Sequence, residues 1–366
     1  MKYIIGIIIF IHGAIHVLGF FKAFSIAEIR ELTLPVSKLQ GVAWLIVGLL
    51  FVIYLISYLS QNQFSWLAGL IAVIISQLLI IYFWKDAKFG TLPNILILVL
   101  SIISFGHYTF SKLVQQETMT IINRIDLSSV KIISENDIKR LPQPVKKWLM
   151  NSGAMGRPYI TVGKVIQQAE LKMKPEQKNW FHANAIQYST IDIPAFIWSV
   201  DVKMNALLNF TGRDKFVDGK GEMLIKLNSI INIVNERGDK LNEGSIQRYL
   251  GEMVWFPSMA LSEFISWEQI NDTTAKATMN YKGTTGTGTF YFNTDGDFCK
   301  FSALRFLGND KDSRRYEWIL LVEEQKIFEG IRVPSKMTAT WKLDEGDWTW
   351  LKLEIIDIKY NENAGR

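Results

Sequence analysis

The chain has 366 residues, 49% of them hydrophobic and 20% charged, with a mean hydropathy of +0.13. That is too apolar for an ordinary soluble enzyme and too charged for a protein lying wholly in a membrane, so the average covers two regions of different character. The net charge of +5 is uneven: residues 1–124 carry eight Lys/Arg against four acids, +4, which leaves +1 for the rest and excludes a nucleic-acid binder with a basic globular face.

Four apolar stretches, residues 3–21, 42–59, 64–84 and 93–113, contain no Asp, Glu, Lys or Arg apart from Lys112 at the very end of the last. Each reaches the length that crosses a bilayer as helix, and backbone in lipid must satisfy its own hydrogen bonds. Trp44, Trp66, Tyr82 and Trp84 fall near the span ends, where interfacial aromatics belong. The first stretch is longer than a signal-peptide core and lacks a small-residue cleavage site, so it is expected to be retained. The loops after the first and third spans hold Lys22, Arg30, Lys38, Lys85 and Lys88, against Lys2, Lys112 and Arg124 on the other side. Basic loops favour the cytoplasm, which predicts a multi-pass protein of the cell membrane with both termini and the globular part outside.

Three of the four histidines, His12, His16 and His107, lie in these spans. A spacing of four puts His12 and His16 on one helical face, the arrangement a haem or metal would use. At 1.5 Å rise per residue, however, His107 differs in depth from His12 by roughly 6 Å and from His16 by about 12 Å, too far for all three to share one metal. Neutral histidines hydrogen-bonded between helices, with Ser76, Gln77 or Ser104, are the expected alternative.

Residues 114–135 turn polar and read as a linker to a globular domain over 136–366. A short helix begins there with Asn136 as cap, is interrupted by Pro142 and Pro144, and resumes to Gly153. Strand composition then appears at 275–280, 287–292, 337–342 and 351–356. Asp295-Gly296 marks a hairpin, and Gly330 and Pro334 bracket another turn. With no βαβ alternation, the expected fold is an α+β domain, an antiparallel curved sheet or half-barrel with a packed helix. That helix is placed at 245–256: Ser245 caps it, Ile246, Tyr249, Leu250, Met253 and Val254 form its apolar stripe, and Arg248 and Glu252 show on the other side.

No phosphate loop, H-E-x-x-H or hydrolase elbow occurs, and His182 has no ligand-spaced partner. The single Cys299 makes neither an intrachain disulfide nor a cysteine-based zinc site. No cofactor or metal is therefore expected. Two charged constellations remain. Gly212-Arg213-Asp214 with Asp218-Gly219 reads as a turn with a surface ion pair or as a functional loop. Arg248 and Glu252 read as a solvated i, i+4 pair or as the lining of a pocket beside Trp255.

The segments LPQPVKKWL (141–149), GRP (156–158), IPAFIW (193–198), GRDKFVDGKG (212–221), RYLGEMVWFP (248–257) and GIRVP (330–334) resemble a family of bacterial membrane-anchored proteins that share a domain of unknown function. The six collinear blocks cover the whole globular half. In shape, the strand order also looks like the lipoprotein-carrier fold, a curved half-barrel around helices that holds acyl chains. The first expectation is thus a membrane-tethered binding module for a lipid or other apolar ligand, with membrane lipids as partners. Arg213, Arg248 and Glu252 would meet a polar head, and Trp198, Tyr249 and Trp255 would line the apolar part. A charge at Trp255 should then abolish ligand retention and leave the fold intact. The alternatives are an envelope enzyme using Asp214, Asp218, Glu252 or an Arg, and a redox or sensory protein built on His12, His16 and His107.

Overall fold

A computed structural model describes residues 2–128, 131–205 and 208–362; residues 129–130 of the expected linker and 363–366 of the expected globular domain lie outside the described residues. The chain divides into two compact units, residues 1–112 with 228–230, and residues 113–227 with 231–366.

The first unit holds α1 (Lys2–Ala23), α2 (Lys38–Leu59), α3 (Ser65–Tyr82), the one-turn α4 (Trp84–Ala87) and α5 (Thr91–Ile122). Among the described residues, four helical stretches are long and apolar enough to cross a membrane. Ser37 and Gln40 cap α2 reciprocally, which explains its sharp start. Small residues set the α1–α2 crossing: a Cβ on Gly13 would stand 2.9 Å from Cβ of Phe51, and one on Gly48 3.1 Å from the Gly13 carbonyl oxygen. The bundle interior is Ile9, Val47, Phe51, Ala72 and Ile97, while Ile7, Ile11, Ile53 and Ile56 point outward. Trp44 is buried rather than at a surface end, packed against His16. Helix α5 runs on past residue 113, where the hydropathy of the span ends, and its last turns belong to the second unit.

After the last turns of α5, the second unit continues with α6 (Glu135–Ile138) and α7 (Gln143–Asn151). The cap of α6 is Ser134, not Asn136, because Asp137 three residues on completes a capping box with it. Pro142 and Pro144 flank the start of α7, where their missing N–H groups cost nothing. Then come β1 (Val162–Leu171), β2 (Phe181–Thr190), β3 (Ala195–Lys203), β4 (Asn209–Val217), β5 (Lys220–Leu227) and β6 (Ile231–Arg237). Helix α8 (Asp239–Gly251) follows, continued by 3-10 turns at Glu252–Trp255 and Pro257–Leu261. The chain ends with β7 (Ile265–Asn271), β8 (Thr274–Tyr281), β9 (Thr284–Phe292), β10 (Phe298–Phe306), β11 (Arg315–Phe328), β12 (Ile331–Leu343) and β13 (Gly346–Tyr360).

Among the described residues, the thirteen strands form one antiparallel sheet in the order β6-β5-β4-β3-β2-β1-β13-β12-β11-β10-β9-β8-β7. Two meanders therefore meet where the first strand pairs with the last. Helix α8 packs on β5 and also on β9, nine strand spacings away in that order. In a flat sheet those strands would lie about 43 Å apart, far beyond the width of one helix. The sheet must curl around α8, which makes it the half-barrel expected from the strand composition. Register shifts at Ile166/Gln167, Ile225/Lys226 and Ala339/Thr340 supply bends.

The four strand segments read from composition lie inside β8, β9, β12 and β13. Asp295-Gly296 sits in the β9–β10 connection, with Gly296 at φ 92°. The second turn is placed differently. Glu329-Gly330, at φ 47° and 82°, makes the whole β11–β12 turn, and Pro334 lies inside β12 beside a register shift, where a strand tolerates the missing donor. Helix α8 starts six residues before Ser245, which is a buried mid-helix residue facing Gly221.

Candidate ligand cavity

Between α8 and the concave face of the sheet lies a cavity of about 450 Å³. Its charged wall comes from one face of α8 and the strands beneath it. Arg248 and Glu252, one helical turn apart, bond at 2.7 Å through Arg248 Nε. The same guanidinium donates from Nη1 to Asp214 of β4 at 2.8 Å and from Nη2 to the Gln187 side-chain oxygen of β2 at 3.1 Å. Gln187 returns its amide N–H to Glu252 Oε2 at 2.7 Å, closing a ring that fixes the amide orientation. The Arg248 guanidinium also lies 4.7 Å over the Trp198 ring, whose indole N–H donates to Gln167 at 2.9 Å. The pair is buried, not solvated, with side-chain exposures of 17% and 9%.

Burial pushes the Asp214 carboxyl up from its ordinary range, against the pull of Arg248. Burial also opposes the charge on Arg248, but Glu252 and Asp214 outweigh it and hold the guanidinium above its usual value. Arg305 of β10 forms a second cationic point, 4.2 Å over the Trp318 ring. Burial, with Arg248 adding to it, pulls Arg305 down to about 9, so it is still charged at neutral pH. Beyond these groups the lining is mainly apolar, with Val200, Val202, Phe210, Leu351 and Leu353, and it also includes Lys172, Glu236 and Lys240.

Of the residues singled out from sequence, Trp198, Asp214, Arg248, Glu252 and Trp255 line this cavity. Trp255 belongs to the wall itself: it is 3% exposed, and its indole N–H donates to the Pro334 carbonyl at 3.1 Å. A charge there would strike the core, so the fold would not survive intact as the sequence reading expected. Arg213, Asp218 and Tyr249 lie elsewhere. Residues 209–217 are strand, not turn, so the alternation of side chains sends Arg213 to the opposite face from Asp214. There Arg213 pairs with Glu117 at 3.0 Å and Glu222 at 3.4 Å, and Lys215 joins the same two acids. Asp218 occupies the β4–β5 turn at φ 51°, held by Arg124 and Lys282 at 2.8 and 2.9 Å. Those hydrogen bonds lower its carboxyl to about 2. Tyr249 is core, its hydroxyl donating to the Thr190 carbonyl at 2.6 Å.

Gln187, Arg305, Trp318 and Trp341 were not read from the sequence as site residues. Arg305 had one usable signal: it shares strand parity with buried Phe301 and Ala303, so it continues an inward face.

The bundle histidines form a closed network. His16 Nδ1 donates to the His12 carbonyl at 2.9 Å, and its Nε2 lies in hydrogen-bond contact with the Ser76 hydroxyl at 2.9 Å. Asn94 donates to Ser76 and Gln77 and accepts from His12 Nε2 at 2.8 Å. These bonds tie both rings to polar side chains of the neighbouring helices. His107 is exposed, and no group of three or more metal-ligating His, Cys, Asp or Glu side chains exists among the described residues.

A family model for a family of unknown function, DUF6544, matches residues 131–353, and the chain belongs to that family. No curated protein matches the sequence. Among solved structures, a LolA superfamily protein of Nitrosomonas europaea is similar at 11% identity, with 62% of this chain and 90% of that one covered and a TM-score of 0.30. A beta-barrel-like protein of the DUF1849 family from Brucella abortus is similar at 9% identity, covering 55% and 98%, with a TM-score of 0.23.

Proposed function

We propose that this DUF6544 chain is a membrane-tethered, extracytoplasmic binding module for a lipid or another apolar ligand, held under α8. Residues 1–113 would serve as the tether and 136–366 as the binder. The observation that carries the reading is the cavity: its volume lies within the 300–1,000 Å³ or so of small-molecule sites, and its lining combines aliphatic and aromatic walls with a few convergent polar groups. A tether keeps such a binder within reach of the bilayer that supplies the ligand. The basic loops after the first and third spans favour an outside position for the binder.

The rival enzyme reading gains less. Asp214 and Glu252 are both bound to Arg248, so neither carboxylate stands free to take a proton from a substrate.

Mass spectrometry of an organic extract tests the proposal. The full chain should carry one apolar compound in stoichiometric amount, and Leu353→Trp, which fills the cavity, should lose it. A compound retained equally by the variant would be annular lipid, and the reading would fail.

A further inference from the structure

The cavity contains two guanidinium groups, and they are held differently. Arg248 donates to Glu252, Asp214 and Gln187. Arg305 Nε is buried and makes no hydrogen bond, and its guanidinium forms no ion pair among the described residues. The acids that act on it from a distance are each engaged elsewhere: Glu252 and Asp214 with Arg248, and Glu243 with Arg315 at 2.6 Å.

What holds Arg305 is aromatic. Its planar group lies 4.2 Å from the Trp318 ring and 5.7 Å from Trp341. Stacking of this kind uses the face of the guanidinium and leaves the in-plane N–H donors unoccupied. On the α8 side, a Cβ at Gly244 would come within 3.2 Å of Arg305 Nη2, so the glycine leaves the group its space. A buried guanidinium Nε without an acceptor is an unfavourable arrangement unless a ligand completes it. The fork of a guanidinium matches the two oxygens of a carboxylate or phosphate.

We propose that the ligand is an amphiphile with a compact anionic head, carboxylate or phosphate, received by the in-plane donors of Arg305 while its chain lies along Val200, Val202, Phe210, Leu351 and Leu353. This rests on the reading of the cavity as a ligand site. It excludes a purely neutral lipid as the preferred occupant.

The test is native mass spectrometry of the full chain in a nonionic detergent, titrated with hexadecanoate, hexadecyl phosphate and hexadecanol. One equivalent of at least one anion should bind about ten- to hundredfold more tightly than the alcohol. Preference between the two anions identifies the head as carboxylate or phosphate. Arg305→Met should bring the anion down to the level of the alcohol while alcohol binding persists, and Arg305→Lys should retain part of the preference. Equal binding of acid and alcohol by the native chain overturns this inference and leaves the cavity reading standing. An anion preference that survives in Arg305→Met also overturns it. Failure of all three compounds to bind brings down both.

Discussion

Arg248 is the residue on which the charged wall depends. Two carboxylates, Asp214 and Glu252, share it in a largely dry setting. Replacing it by Met would leave both acids without a cation, and breaking a buried pair in this way costs about 3–5 kcal/mol. Arg248→Met should therefore lower the thermal midpoint of the full chain markedly, and Asp214→Asn should restore part of it; a variant as stable as the native chain would show the carboxylates to be solvated. Asp218 behaves differently because it is half-exposed in its turn. Its folded carboxyl lies at about 2, below the ordinary 3.8. Its contribution is complete above the unfolded value and is lost as pH falls through the folded one. Asp218→Asn should lose stability at neutral pH and show a flatter decline between pH 3.8 and about pH 2 in denaturant titrations.

At the scale of elements, α8 touches both ends of the sheet only because glycines let it approach. A Cβ on Gly286 of β9 would lie 2.5 Å from Ile246 Cγ2 and 3.1 Å from the Gln247 backbone nitrogen. One on Gly221 of β5 would lie 2.3 Å from Ser245 Oγ. The backbone contact cannot be relieved by a rotamer change, so Gly286→Val should push α8 away from the sheet and cost about 1–3 kcal/mol. Loss of ligand at a rate exceeding the loss of folded protein would place the damage at the cavity; unchanged stability would mean the helix is loosely seated. The stripe Ile246, Tyr249, Leu250, Met253 and Val254 was legible from its spacing, and all five are buried. The start of the helix was not. Gly238 at φ 136° supplies it without a side-chain cap, so no Ser, Thr or Asp announces it.

At the scale of whole units, the second is built on one open sheet whose two meanders are joined by pairing of its first and last strands, β1 with β13. The proposed extracytoplasmic placement of the globular domain is a matter of topology and is checked in intact cells. His182 is exposed on β2, so His182→Cys in a Cys299→Ser background should react with a membrane-impermeant maleimide without lysis. Labelling only after lysis would place the domain inside and reverse the proposed orientation.

The sequence by itself determined the four apolar helices, because an uninterrupted run of about twenty apolar residues has few alternatives. It also identified late strands such as β9 and β12, whose β-branched and aromatic content needs no partner to be recognised. The early strands β1 to β6 were hidden. Their inward faces carry Gln167 and Gln187, buried polar residues that disguise the alternation. The cavity was only half legible: Arg248, Glu252 and Trp198 were named, but Arg213 was grouped with Asp214 as its neighbour in the chain. Only the tertiary structure could separate those two, because strand parity sends adjacent side chains to opposite faces. Only the tertiary structure could add Arg305, which reaches the same cavity from a strand 57 residues further on than Arg248 once the sheet has curled.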